Sequence, residues 1–129
     1  MIEHHFIPGL ARPISPSSHA VVVDGWAFLT GQLGRDLDEA DGPLFDGITA
    51  QTEQALRNMD RLLQSLGGSL ASLVSVRVFL TEFDRDYAAM NAAYAGFFPE
   101  GARPARTCIG VTGLVKRALV EIDGIARLG

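Results

Sequence analysis

Hydrophobic and polar residues alternate along two stretches of the chain, residues 73–81 and 119–126. Apolar side chains occupy every second position from Val74 to Leu80 in the first stretch and from Val120 to Ala126 in the second. A repeat of two places successive side chains on opposite faces of a β-strand. Both stretches are therefore predicted to be strands with one strongly apolar face, and Leu73 is predicted to lie on the opposite, mixed face.

A different repeat runs through residues 47–66, where apolar residues recur at steps of three and four from Ile48 to Leu66. This spacing is typical of an amphipathic α-helix. Asp46 is a candidate N-cap, and two glycines, Gly67 and Gly68, predict the C-terminal end. The predicted polar side consists of Gln51, Gln54, Arg57, Asn58, Asp60, Arg61 and Gln64.

A second helix is predicted to end near Phe98, before Pro99. Asp84 or Asp86 can cap its first turn. Its apolar stripe is predicted to consist of Tyr87, Met90, Tyr94 and Phe97. Asn91 lies at the edge of that stripe, where it is either a solvated helix residue, a residue bonded to backbone, or part of a binding site.

The N-terminal third predicts three further strands. Residues 2–7 form a short strand-like run, and residues 19–23 and 26–30 flank Asp24-Gly25, which is a strong hairpin signal. Prolines and serines in residues 8–18 predict an irregular loop. A second, solvated loop is predicted over residues 33–47.

The resulting order is strand, strand, strand, helix, strand, helix, strand, strand. It predicts a single α+β domain over residues 1–129, with two helices on one face of a mixed β-sheet. Residues 105–111 and 119–126 are predicted to pair as a hairpin, which would place Arg106 beside an acid-bearing face. The sheet face without helices is half apolar, and its burial against other subunits is expected.

Charge and composition narrow the possible functions. The net charge is −4, with no basic block of the kind on which nucleic-acid binding relies. Apolar runs fall short of the roughly 20 residues that span a bilayer, and the N-terminus lacks the pattern of a signal peptide. A cytoplasmic protein without nucleic-acid or membrane partners is therefore expected. A single cysteine, Cys108, rules out an intrachain disulfide.

The candidate chemistry centres on residues 103–111, where Arg106 opens an apolar, strand-like run. A buried guanidinium needs an anion, so Arg106 is either a structural ion-pair partner, an exposed edge residue or a clamp for a substrate carboxylate. Glu121 is a candidate general base for water, or an ion-pair partner of Arg106 or Lys116. Together, a carboxylate clamp at Arg106 and a general base at Glu121 would form a binding site for a small organic acid.

Two further candidates have structural alternatives. Cys108 is either a site residue or a small buried hydrophobe. The Thr30-Gly31 backbone either lets a ligand approach closely or forms a β-bulge.

In order and spacing, several motifs together resemble the Rid (RidA/YjgF) family of reactive-intermediate deaminases. The resemblance covers residues 16–126 and is carried by Ser-His-Ala-Val at 18–21, Thr-Gly-Gln at 30–32, Gln-Thr at 51–52, Val-Arg-Val-Phe-Leu at 76–80, Met-Asn-Ala-Ala-Tyr-Ala-Gly-Phe-Phe at 90–98, Arg-Pro-Ala-Arg-Thr-Cys at 103–108 and Val-Glu-Ile-Asp-Gly-Ile-Ala at 120–126.

The resemblance implies a chorismate-mutase-like fold and a homotrimer with a barrel-like centre and sites between subunits. It implies hydrolysis of enamines or imines, such as 2-aminoacrylate, to 2-keto acids and ammonia, without a metal or organic cofactor. Arg106 matches the clamp for the substrate carboxylate, Glu121 the acid that positions or activates water, and Cys108 a residue whose backbone N–H contacts the carboxylate. The remaining pocket positions match Thr30, Gly31 and Asn91.

Ser17 departs from the family pattern, because many of these deaminases carry tyrosine at that position. A serine has no ring that could stack on a substrate. The resemblance therefore implies the role of Arg106 as a carboxylate clamp, but it leaves the identity of the substrate open. A carboxylate-binding protein without turnover, such as a metabolite sensor or scavenger, is the main alternative. A ribonuclease is disfavoured by the acidic balance, and a redox-activated holdase would require a depressed pKa of the Cys108 thiol.

Overall fold

The computed structural model describes residues 1–39 and 41–129, and residue 40 of the predicted loop 33–47 lies outside them. The elements follow the predicted order. They are β1 (Ile2–His5), β2 (Ala20–Val23), β3 (Trp26–Leu33), α1 (Ile48–Ser65), β4 (Leu73–Leu80), α2 (Phe83–Ala95), β5 (Ala105–Gly110) and β6 (Val120–Arg127). Short 3₁₀ turns at Leu70–Ser72 and Val115–Arg117 precede β4 and β6.

The six strands form one mixed sheet in the order β1-β2-β3-β6-β4-β5. The predicted hairpin of β2 and β3 is confirmed, with Asp24 and Gly25 both at positive φ (51° and 81°), as a tight two-residue turn requires. The predicted pairing of residues 105–111 with 119–126 is wrong. β5 pairs in parallel with β4, and β6 lies between β3 and β4. The helix α2 makes the crossover that parallel neighbours need.

Both helices pack on one face of the sheet, as predicted, and the core lies between them and the strands. Val76, Val78 and Leu80 of β4 point into this core. The predicted faces are reversed at the start of β4, where Leu73 is 7% exposed and Val74 is 45% exposed. The cause is a register shift against β6 between Leu73 and Ser75, which adds one residue and changes the alternation.

The predicted helix starts need correction. α1 begins after Gly47, whose φ of 87° suits a glycine, so Asp46 is not the N-cap. α2 begins after Glu82, and Asp84 and Asp86 lie inside its first turn, where carboxylates still favour the positive end of the helix dipole. The predicted stop at Gly67 is confirmed, with Gly67 at a φ of 87° just beyond α1.

Two amides of α1, Gln51 and Asn58, are buried although the helical pattern predicted them on the polar side. Gln51 Nε2 donates to the Phe45 carbonyl at 2.9 Å, and its Oε1 accepts from the Leu119 N–H at 2.9 Å. Asn58 Nδ2 donates to the carbonyls of Leu33 and Arg35 at 3.1 and 2.7 Å. These bonds satisfy buried backbone groups, and they fix both ends of the loop after β3 to the helix.

The predicted loop over residues 8–18 is irregular and is tied down by the buried His19. The Ile7 N–H donates to His19 Nδ1 at 2.8 Å, so Nε2 carries the proton that is donated to the Ala11 carbonyl at 2.9 Å. The Ala11 N–H in turn donates to the Leu37 carbonyl at 3.2 Å. The two loops are thereby joined, and they form a wall beside β3.

The sheet face without helices carries exposed aromatic and charged residues. Trp26 and Phe28 of β3 are 39% and 43% exposed. Arg77 of β4 donates two hydrogen bonds to the Asp123 carboxylate, at 3.0 and 2.6 Å. We call this surface the open face. It has the half-apolar composition that the sequence indicates, and its burial by other subunits stays a prediction.

Candidate functional site

A cavity of about 560 Å³ lies between the two joined loops, the end of β3 and the start of β6. It contains three of the residues that the sequence singled out, Thr30, Gly31 and Glu121, whereas its wall includes Ser15 instead of the predicted Ser17. Its complete lining is Ala11, Pro13, Ile14, Ser15, His19, Thr30, Gly31, Gln32, Leu33, Arg35, Leu37, Asp41, Val115, Lys116 and Glu121. Much of this lining is apolar, with charged groups at a few points, as in many ligand sites.

Thr30 and Gly31 form an irregular step in the sheet, where the register of β3 against β6 shifts between Leu29 and Gln32. The Thr30 hydroxyl donates to the Ser18 carbonyl, which fixes this step to the loop. A Cβ atom on Gly31 would collide with the Glu121 carboxylate. The β-bulge, one of the two alternatives posed from the sequence, is therefore present, and the group that lies close to Gly31 is the Glu121 carboxylate of the same chain. Close approach of a ligand to this backbone stays a prediction.

The Glu121 carboxyl is half-buried and forms no ion pair in the part of the chain that the structure describes, so the predicted pairs with Arg106 and Lys116 are wrong. Burial raises its pKa, the nearby Asp123 carboxylate raises it further, and Arg77 partly opposes both. An upward shift of this kind favours a carboxyl that takes up and returns a proton during a reaction.

Arg106 lies on β5, on the side of the sheet that faces α2. Its Nη1 donates to the Met90 sulfur at 3.9 Å, and its guanidinium carbon lies 4.8 Å from the centre of the Tyr94 ring. No carboxylate of the described residues pairs with it. The ion-pair interpretation is therefore wrong within this chain: the cation is held by an aromatic face and a thioether, which leaves its fork of donors available to an anion.

Two buried polar atoms on α2 have no hydrogen-bond partner among the described residues, Asn91 Oδ1 and the Tyr94 hydroxyl, and the Tyr94 ring is the one that contacts Arg106. Burial raises the pKa of the Tyr94 hydroxyl, and the charges of Arg106 and Arg103 partly offset that rise. The sequence placed Tyr94 and Met90 in the apolar stripe and missed their contact with Arg106. The one available signal was a tyrosine hydroxyl in a stripe that otherwise buries apolar atoms.

Cys108 shares the α2-facing side of β5 with Arg106, two residues along the strand, opposite Val78 of β4. Its thiol is partly buried, and this burial raises its pKa while the Arg106 charge partly opposes the rise. The pKa of the thiol is therefore shifted in the direction opposite to the one that a redox-activated role would require. A partly buried thiol with a raised pKa, on the same side of β5 as the arginine, fits a wall of a site better than a nucleophile.

The candidate residues form two groups on opposite faces of the sheet. Arg106 is aligned with Val76, which points towards the helices, whereas Glu121 is aligned with Phe79, which points away from them. We call Arg106, Cys108 and Asn91 the clamp group, and Thr30, Gly31 and Glu121 the acid group. Because the sheet separates them, a small molecule bound to the clamp group cannot contact the acid group of the same chain.

Comparison with known proteins identifies the family. The sequence model of the family described as Endoribonuclease L-PSP matches residues 10–128. The chain belongs to the Rid family. A RutC family protein of Pyrococcus horikoshii, PH0854, is 36% identical over 127 residues, which cover 98% of this chain and 98% of that relative. The family resemblance seen in the sequence motifs is thereby confirmed.

Solved structures of Rid-family relatives share the fold. RidA from the Antarctic bacterium Psychrobacter sp. PAMC 21119 superposes with a TM-score of 0.83 at 31% identity, over 93% of this chain and 98% of that chain. TdcF of E. coli, solved with bound serine, superposes with a TM-score of 0.85 at 26% identity, over 97% and 99% of the two chains. The predicted α+β class is confirmed. Neither helix in the described part of this Rid-family chain is long and apolar enough to cross a membrane.

Proposed function

We propose that this protein hydrolyses enamines and imines of 2-amino acids, such as 2-aminoacrylate, to 2-keto acids and ammonia. The observation that carries the proposal is the environment of Arg106. Its guanidinium is positioned by Met90 and Tyr94 and has no acidic partner among the described residues. An arginine held in this way suits the carboxylate of a small substrate, which it can bind through two parallel hydrogen bonds.

The rest of the clamp group would complete this recognition. The Cys108 backbone N–H lies on the same strand and is the proposed second donor to the carboxylate. Asn91, whose Oδ1 is buried and unpartnered among the described residues, would bind the substrate amine or imine nitrogen. A buried acceptor without a partner is costly, so a substrate N–H that satisfies it would gain affinity.

Glu121 would supply the proton chemistry. Its carboxylate accepts a proton from water as the water oxygen bonds to C2 of the imine, and the imine nitrogen takes a proton from solvent, which gives a carbinolamine. The Glu121 carboxyl then returns its proton to the amino nitrogen, the C2–N bond breaks and ammonia leaves, and the C2 hydroxyl releases its proton to solvent to give the 2-keto acid. One water is consumed for each imine. The raised pKa of Glu121 suits a group that takes up and returns a proton during turnover.

The clamp group and the acid group would meet only across an interface between copies of the chain. We propose a homotrimer in which the open faces pack against one another and Arg106 of one copy lies over the cavity of the next. The exposed Trp26, Phe28 and Ile109 are the apolar area that such packing would bury. In this arrangement each site takes Glu121 from one copy and Arg106 from its neighbour.

The proposal is tested by generating 2-imino acids in place with an amino-acid oxidase and trapping them with semicarbazide. Active protein lowers the rate of semicarbazone formation, because it hydrolyses the imine before it is trapped. Unchanged trapping across imines of small, branched and aromatic amino acids would contradict the proposal.

Gly31→Ala tests the acid group without removing its carboxyl. The added Cβ would displace the flexible end of Glu121, so we expect about a tenfold loss of kcat with a stability change of less than about 1 kcal/mol. Gly113→Ala is the matched control, since nothing lies within 4 Å of a Cβ there. Full activity of Gly31→Ala would show that the position of Glu121 does not matter.

A carboxylate-binding protein without turnover is the second candidate, and Ser17 motivates it. The Ser17 hydroxyl pairs with Ser15 at 2.9 Å instead of lining the cavity, so no aromatic ring is offered to a substrate from this position. The bound serine in TdcF supports binding of a small amino acid in a relative. Saturable binding of 2-keto acids together with unchanged semicarbazide trapping would favour this candidate.

A further inference from the structure

Lys116 is a charged residue of the cavity that the proposed reaction does not use. Its ammonium pairs with the Asp41 carboxylate, and both side chains line the same cavity as Glu121. The Lys116 side chain is 27% exposed, whereas that of Asp41 is 77% exposed. The hydrogen bond from Lys116 lowers the pKa of the Asp41 carboxyl, as expected for a charged pair.

The backbone holds Lys116 in an uncommon conformation. Lys116 and Arg117 are consecutive non-glycine residues at left-handed φ values of 61° and 57°. Such conformations are unfavourable for residues with a side chain and persist where the surroundings enforce them. Here the following Ala118 is fully buried, and its carbonyl accepts from the Thr81 hydroxyl at 3.1 Å. The turn is therefore anchored from behind and presents Lys116 to the cavity.

The cavity is larger than a three-carbon imine requires. At about 560 Å³ it falls within the range of roughly 300–1,000 Å³ that holds drug-sized ligands. Its charged lining consists of two cationic residues, Arg35 and Lys116, and two acidic residues, Asp41 and Glu121. A substrate side chain that extends from the reacting carbon beside Glu121 therefore has room to reach Lys116.

We propose that Lys116 selects substrates with a second carboxylate, which takes the place of Asp41 on the ammonium. The ligand class is 2-imino and 2-oxo dicarboxylic acids of four or five carbons. The inference rests on the proposed function, because Arg106 from a second copy would hold the first carboxylate. A substrate carboxylate that displaces Asp41 from the ammonium exchanges one carboxylate for another, and an exposed ion pair of this kind is held only weakly.

The test compares two ligands with the same five-carbon chain, 2-oxoglutarate and 2-oxopentanoate, by titration calorimetry of the assembled protein. The wild type is expected to bind 2-oxoglutarate about tenfold more tightly, since one charge-assisted hydrogen bond in a partly enclosed site gives such a factor. Lys116→Met should reduce this ratio to about one, and Lys116→Arg should retain most of it. Asp41→Asn removes the competitor and should raise the ratio about threefold or more.

Arg117→Met is the matched control. It removes one positive charge from the same turn, at a residue that does not line the cavity, and it should leave the ratio unchanged. An equal affinity of the wild type for both ligands would overturn the inference, and so would equal losses of the ratio in Lys116→Met and Arg117→Met.

Arg106→Met separates this inference from the proposed function. If both ligands bind the wild type equally and both lose affinity in Arg106→Met, only the role of Lys116 is wrong. If neither ligand binds the wild type, or if binding is unaffected in Arg106→Met, the carboxylate clamp itself is wrong, and the inference falls with it.

Discussion

Replacing Arg106 with methionine is expected to lower kcat/KM for imine hydrolysis by about 10²- to 10⁴-fold. The guanidinium would make two charge-assisted hydrogen bonds to the substrate carboxylate, and each such bond contributes about 1.5–3 kcal/mol when water is excluded. Met90 and Tyr94 contact the guanidinium without neutralising it, so its removal leaves no unpaired acid behind in this chain. The fold should therefore persist, and the loss should be one of binding and orientation.

Arg57→Met is the control for this variant. Arg57 also has an aromatic neighbour, Phe97 at 5.9 Å, but its side chain is 54% exposed and it pairs with Glu53 along α1. It should retain wild-type kinetics. Arg106→Lys should lose most of the activity, because an ammonium cannot form the planar two-point contact. Near-normal activity in Arg106→Lys would show that a point charge is sufficient, and it would contradict bidentate binding of the substrate carboxylate.

Replacing Glu121 with glutamine should lower kcat about 10²- to 10⁴-fold with little change in KM, since general acid–base catalysis contributes factors of this size. The binding of 2-keto acids should survive, because the clamp group is intact. Glu53→Gln, the same change at a position on α1 that pairs with Arg57, should have no effect. A drop in ligand affinity equal to the drop in kcat would show that Glu121 binds the substrate instead of moving a proton.

The pH dependence follows from the direction of the Glu121 pKa. The carboxyl acts as a base only when it is ionised, and burial raises its pKa above the ordinary value of about 4.3. The rate of the wild type should therefore fall as the pH is lowered through this raised pKa, at a higher pH than an unperturbed glutamate would give. The residual rate of Glu121→Gln should lack this acidic limb in a profile of kcat against pH.

The same shift predicts an effect on stability. A carboxyl with a raised folded-state pKa binds its proton more tightly in the folded chain, so its ionisation destabilises the fold. This destabilisation is absent when the pH is below the pKa of Glu121 in the unfolded chain, and it is complete when the pH is above its raised pKa in the folded chain. Glu121→Gln should thus melt at a higher temperature than the wild type at pH 8, and the difference should shrink as the pH falls. A site residue that lowers stability in this way is a common compromise in enzymes.

Local sequence patterns predicted the elements well, because helix and strand periodicities arise from the packing of one face. The steps of three and four in residues 47–66 became α1, and Asp24-Gly25 became the predicted turn. The patterns failed where a long-range contact overrode the local preference. Gln51 and Asn58 are buried because their side chains form hydrogen bonds with loop backbone. Leu73 is buried and Val74 is exposed, the reverse of the predicted faces, because the register against β6 shifts between Leu73 and Ser75.

The candidate site was less accessible to the sequence than the fold. Arg106 and Glu121 could be named from residue chemistry and from the family motifs, but their placement depends on which strand β5 joins. The order of the strands in the sequence suggested that β5 pairs with β6. Instead, the crossover through α2 places β5 beside β4, and β4 separates it from β6, which carries Glu121. No periodicity encodes that choice. The contact of Arg106 with Tyr94 was missed for a related reason, since it joins a strand to the helix that precedes it.

In the proposed trimer, each site combines Arg106 of one copy with Glu121 of another. The direct test mixes Arg106→Met and Glu121→Gln subunits, which are inactive alone, by unfolding and refolding them together at equal concentration. Random assembly into trimers would give each site a one-in-four chance of holding both wild-type residues, so about a quarter of the wild-type activity should return. A mixture that stays as inactive as the two separate variants, while forming trimers, would contradict the shared site.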